Sequence, residues 1–205
     1  ARPVILCEYS HAMGNSNGGL SKYFKAFRSI KGLQGGFIWD WVDQGLYAIQ
    51  PANQNTAAVV VGLDTIGKNT SKFFAYGGSF GDHPTDAQFC INGLVFPDRQ
   101  PHPALLEAKR VQQPFAFTVS EAAGSVSVTV TNEYLFRSTD NERLNWRYGS
   151  LLASVANGSR DIIIEPGDSL TFTLDSDLSA FETADDHILD LWITVIEDTP
   201  SLSKG

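Results

Sequence analysis

Glu8 sits where a run of apolar residues stops. It follows Val4-Ile5-Leu6-Cys7 directly, and a charged group there is costly to bury unless it is paired or used. Tyr9, His11 and Asn15 come within the next seven residues. The spacing predicts a cluster of hydrogen-bond donors around one carboxylate. The plain alternative is a salt-bridged strand end, and for His11 alone a structural histidine. Further on, Trp39-Asp40-Trp41 brings two indoles together. An indole ring suits the apolar C–H face of a sugar. Its plain alternative is core filling, and one of the two rings is expected to be core.

The elements that must position these residues can be read in order. Pro3 to Tyr9 reads as a strand buried on both faces that ends in a Gly- and Asn-rich loop. Leu20, Tyr23, Phe24, Phe27 and Ile30 share one face of a helix over Leu20–Ile30, and Gly32 stops it. Gly35 to Trp41 reads as a second buried strand. Strand, helix and strand imply a parallel pair with a right-handed crossover, and Glu8 would lie at the carboxyl end of its strand. Asp43 to Asp86 lacks steady periodicity and reads as a long loop with one apolar patch, Ala57–Leu63. Gln100 to Gln113 reads as a helix with proline in its first turn. After Pro114 the pattern alternates, at 115–119, 126–130, 162–164, 170–174 and 191–195. Asn157-Gly158 and Pro166-Gly167 read as turns between such runs. That pattern argues for an antiparallel β-sandwich.

Charge divides the chain at the same place. Residues 1–114 hold 10 Lys/Arg against 8 Asp/Glu, and residues 115–205 hold 5 against 15. The shift implies two domains, 1–114 and 115–205. An acidic second half argues against nucleic acid, which needs clustered cations. No run approaches the roughly 20 apolar residues that span a bilayer, and the first residues lack the parts of a signal peptide. We therefore expect no membrane partner and a cytoplasmic protein, unless a targeting segment lies upstream. Cys7 and Cys90 form no CxxC pair and read as buried free thiols. Two glycosylation triplets, at Asn69 and Asn157, are short enough to arise by chance. One strand–helix–strand unit and a lone helix cannot close a barrel, so the first half reads as the end of a larger α/β domain.

Four motifs then point further. ILCEYSHAMGNSNGG, GGFIWDWVDQGL, YGGSFGD and QFCINGLVFPDRQPHPAL resemble, in this order, the bacterial-type β-galactosidases of glycoside hydrolase family 2. The likeness continues weakly into NEYLFRSTDNERLNW. It breaks between Tyr47 and Tyr76, where this chain is longer; an insertion over 48–75 would bear on the aglycone side of the pocket or on an oligomer contact.

The resemblance implies the last part of a (β/α)8 TIM barrel (α/β) followed by an all-β, immunoglobulin-like sandwich. It implies Glu8 as the nucleophile of a retaining reaction on β-galactosides such as lactose. His11 would contact galactose hydroxyls, and Trp39 would lie under the sugar. The Phe89 carbonyl and the Asn92 side-chain oxygen would hold a sodium or potassium ion, with Asn92 beside the sugar. The third protein ligand of that ion, an Asp, lies upstream. So would the acid/base Glu and the Glu and His ligands of an active-site magnesium. The implied partners are the sugar, the remainder of the parent chain and further copies of the parent. The isolated chain would then be inactive, and strand edges lacking their barrel neighbours would favour self-association. A non-catalytic interdomain module, or a relative acting on glucuronides or mannosides, is the alternative. CEYSHAMGNS and NGLVFPDR favour a galactosidase.

Overall fold

The fold is that of a computed structural model describing residues 2–49, 59–60, 72–122, 125–150, 154–174, 188–201 and 204. The chain divides into two compact units, Ala1–Gln112 and Gln113–Gly205.

The first unit opens with strand β1 (Val4–Tyr9), helix α1 (Leu20–Ser29) and strand β2 (Leu33–Ile38). β1 and β2 are parallel, with Leu6 opposite Gly36 and Tyr9 opposite Ile38. Helix α1 lies over the strand through its apolar face. Leu20 is fully buried, and the Tyr9 ring meets Tyr23 at 4.8 Å and Phe27 edge-on at 5.6 Å. Helix α2 (Pro103–Gln112) packs on α1. Its Glu107 accepts a hydrogen bond from the Ser21 N–H at 3.4 Å, supplying a side-chain acceptor to a helix start whose own cap residue, Gly19, has none.

Four expectations change here. Ile30 is not the last helical residue but an extended, exposed cap. β1 and β2 are not buried on both faces: Val4, Ile5, Cys7 and Phe37 are exposed, because among the described residues the two form a two-stranded sheet covered on one side. Cys7 and Cys90 are free, but Cys7 is exposed and Cys90 only partly covered. The stretch read as a long loop instead contains an antiparallel sheet, ordered β4-β3-β5 from β3 (Leu46–Ile49), β4 (Val59–Val60) and β5 (Lys72–Ala75). Its core is Ala48 and Ala75, backed by Phe73 and Phe80. Strands this short, built around alanine, carry almost no readable period. Asn69 and the rest of the apolar patch lie outside the described residues.

The second unit is all antiparallel. β6 (Phe115–Ala122), β7 (Ser125–Asn132) and β10 (Ser169–Thr173) form one sheet, ordered β10-β7-β6. β8 (Glu142–Gly149), β9 (Ser154–Ile162) and β11 (Ile188–Val195) form the other, ordered β11-β8-β9. Both contribute to one core: Val126, Val128 and Val130 from β7, Leu144, Trp146 and Tyr148 from β8, with Phe115, Ile162, Ile164 and Leu174. On the other face of β7, hydroxyls pair across to β10, Thr129 with Thr171 and Thr131 with Ser169, each at 2.8 Å. The segment before β8 is tied down by buried polar groups. Asn132 donates to the Arg137 and Ile164 carbonyls at 2.8 and 2.9 Å, Thr139 bonds Ile162 and Ile164, and Arg137 pairs with the buried Glu142.

Pro166-Gly167 is a turn, as expected, with Gly167 at φ +83. Asn157-Gly158 is not. It lies inside β9, opposite Arg147 and Trp146. Glycine is there for space: a Cβ at 158 would fall 2.4 Å from the Trp146 indole. Gly158→Ala should therefore destabilise the chain by ~1–3 kcal/mol through overpacking, read as a lower denaturant midpoint by tryptophan fluorescence. An unchanged midpoint would mean that the strand can shift away from the ring.

Candidate active site

The carboxyl ends of β1 and β2 lie side by side, the end at which α/β folds place their sites. Glu8 is the second-last residue of β1 and is exposed. Tyr9, next to it, points the other way by strand alternation, and is buried against α1. Burial, then the neighbouring Tyr23, raises its phenol pKa, so its hydroxyl stays neutral at ordinary pH. The expected ring of donors around Glu8 does not form. Tyr9 goes to the helix, His11 turns to Asn92 and Asn15 is exposed. The loop takes its shape from Asn17 instead. This buried residue donates to the Ser10 carbonyl at 2.5 Å, where Ser10 adopts φ +53.

A ladder of backbone hydrogen bonds then joins three segments. Trp39 N–H donates to the Tyr9 carbonyl at 3.0 Å, and Ala12 N–H to the Trp39 carbonyl at 2.8 Å. Asp40 N–H donates to the Asn92 carbonyl at 2.6 Å, and Leu94 N–H returns to the Asp40 carbonyl at 3.1 Å. The ladder holds the residues after β1, the Trp39-Asp40-Trp41 segment after β2, and the segment following the 3-10 turn Ala87–Cys90 in one place. The Trp39–Asp40 peptide is cis. Neither tryptophan is core: Trp39 and Trp41 are 40% and 57% exposed, because β2 ends at Ile38 and both lie past its ladder.

His11, Phe89 and Asn92 meet. The His11 ring lies 4.9 Å from the Phe89 ring, and His11 Nε2 is 3.5 Å from Asn92 Nδ2. The Asn92 amide donates to the Phe89 carbonyl at 3.2 Å. Its own Oδ1 is buried and has no hydrogen-bond partner. A buried amide oxygen without a donor is uncommon and calls for an explanation. An amide flip, which exchanges two nearly indistinguishable atoms, would turn that oxygen toward the Phe89 carbonyl. Facing each other, those two neutral oxygens would repel unless a cation lay between them, and oxygen ligands suit a hard one. The residues present thus fit part of a monovalent-cation site. No group of three or more His, Cys, Asp or Glu suited to a metal occurs among the described residues.

Two residues of this region carry no role in the sequence reading. Asp43 is 3% exposed, and its carboxylate meets the Gly93 N–H at 2.7 Å and His102 Nε2 at 2.8 Å. Both lie within the quoted motifs, but they are 59 positions apart, and no short spacing links them.

Residues 1–117 match the family described as glycosyl hydrolases family 2, TIM barrel domain, and residues 128–205 match beta-galactosidase, domain 4. The beta-galactosidase of Aeromonas hydrophila subsp. hydrophila is 49% identical over 204 residues, all of this chain and 18% of that protein. Those of Yersinia enterocolitica and Pectobacterium atrosepticum are 45% and 46% identical over 98% and 95% of this chain, which spans 17% and 16% of their lengths. No helix among the described residues is long and apolar enough to cross a membrane. Over its whole length this sequence is similar to that of beta-galactosidases, and the chain belongs to glycosyl hydrolase family 2.

Proposed function

We propose that the chain supplies the nucleophile half of the active site of a retaining β-galactosidase, within a longer parent protein. The observation that carries this is the backbone ladder that ties Tyr9 and Ala12, the neighbours of Glu8 and His11, to Trp39 and Asn92 at one end of a parallel strand pair, with the His11 ring against Phe89. In this reading the first unit completes a (β/α)8 barrel, and the second is an immunoglobulin-like sandwich, with the boundary near Pro114.

Glu8, exposed at the strand end, attacks the anomeric carbon of a terminal β-D-galactoside such as lactose through its carboxylate. The galactosyl–Glu8 ester so formed is hydrolysed by water, and the configuration is retained. An acid/base carboxyl from the rest of the parent protonates the leaving oxygen and later deprotonates the water. Trp39 offers its exposed indole to the C–H face of the sugar, and His11 hydrogen-bonds a hydroxyl. Phe89 O and Asn92 Oδ1 hold a sodium or potassium ion with further oxygens from the parent. When bound, such an ion anchors a sugar hydroxyl electrostatically. Magnesium, also part of this proposal, takes its ligands from elsewhere in the parent. Two free thiols suit a reducing compartment, and we place the parent in the cytoplasm as an oligomer.

Trapping tests the assignment. A 2-deoxy-2-fluoro-galactoside with a good leaving group should add one sugar to the parent, and peptide mapping should place it on Glu8. A label on any other carboxylate would assign the nucleophile elsewhere.

A further inference from the structure

We infer that Asp43, held by His102, is a positioning residue that sets the Asn92 carboxamide for its cation and sugar. The inference rests on the reading of Phe89 and Asn92 as an oxygen site.

A buried carboxylate is costly unless every oxygen is satisfied. Both oxygens of Asp43 are, and both partners belong to the segment that carries Asn92. Oδ1 accepts from the Gly93 N–H, the residue next to Asn92, at 2.7 Å. Oδ2 meets His102 Nε2 at 2.8 Å. The backbone of Asp43 joins in, its N–H donating to the Val95 carbonyl at 2.9 Å, while His102 N–H donates to the Leu94 carbonyl at 3.0 Å. The His102 ring is fixed by stacking on Phe96 at 3.8 Å. Asp43, Asn92, Leu94 and Val95 are all at most 4% exposed. Gly93 leaves no slack: a Cβ there would fall 2.2 Å from the Asp43 N. So the Asn92–Gly93 peptide is pinned at both ends, its carbonyl by the Asp40 N–H and its N–H by the Asp43 carboxylate. Groups that orient ligands in this way are worth 10- to 100-fold in ion affinity elsewhere.

The test uses the parent protein and titrates sodium against a background of tetramethylammonium. Two quantities are read: the rise in thermal midpoint with sodium, which reports binding alone, and the kcat and KM for a chromogenic β-galactoside. Asp43→Ala removes the clamp. His102→Phe keeps the ring, its volume and its stacking but leaves Asp43 Oδ2 unpaired, so the thermal midpoint without sodium is read for each variant to separate loss of fold from loss of sodium affinity. In both, the half-saturating sodium concentration should rise at least about tenfold, and KM should rise by more than kcat falls. Asp43→Asn keeps an acceptor for Gly93 and should stay within about threefold of the unaltered parent. Unaltered sodium affinity in both Asp43→Ala and His102→Phe overturns the inference while leaving the cation reading intact. Absence of any sodium response in the unaltered parent removes the cation reading, and this inference with it.

Discussion

Glu8→Gln in the parent should lower the hydrolysis of a chromogenic β-galactoside by at least about 10³-fold, the scale on which loss of a covalent nucleophile is felt. The substitution is close to isosteric, and Glu8 is exposed at a strand end, so the thermal midpoint should barely move. That separates lost chemistry from lost fold. The amide cannot displace the aglycone, whereas the sugar contacts proposed for His11 and Trp39 would survive, so the loss should fall on kcat. A variant with near-normal turnover would mean that Glu8 is not the nucleophile.

The second large effect concerns the 205 residues by themselves. They should show no turnover above buffer on the same substrate. Retention needs two carboxyls about 5 Å apart, and general acid–base help contributes roughly 10²- to 10⁴-fold. Besides Glu8, the first unit has one glutamate, Glu107, and its carboxylate is turned to the Ser21 N–H at the start of α1. Asp43 is buried and already used twice. Glu142, in the second unit, is held by Arg137. None of these three acids is therefore assigned the role of Glu8's partner. Activity approaching that of a full-length galactosidase would refute the proposal that the acid comes from elsewhere in the parent.

Much of the fold is legible in the residues where burial is one-sided and regular. Leu20, Phe24 and Phe27 announce α1, and Val126, Val128 and Val130 announce β7. β8 is harder. Its Leu144, Trp146 and Tyr148 alternate, but Glu142, Arg143 and Arg147 break up the apolar run. Only the structure shows the buried Glu142 paired with Arg137. Asn157-Gly158 misleads for a related reason. A dipeptide that usually signals a turn is set in a strand by the bulk of Trp146, which no local window contains. At the site, Glu8, His11 and Trp39 stand out as residue types in short motifs. The clamp does not, because Asp43 and His102 gain meaning only once folding brings them together.

That separation has a consequence in time. Synthesis runs from the N-terminus at about 5–20 residues per second, so roughly 5–20 s pass between the making of Glu8 and of His102. During that interval β1, α1 and β2 can already associate, since their contacts are near in sequence. The segment bearing Asn92 cannot yet be locked. Glu8 thus waits, beside apolar strand residues such as Val4, Ile5 and Phe37, for the part of its surroundings that is made later.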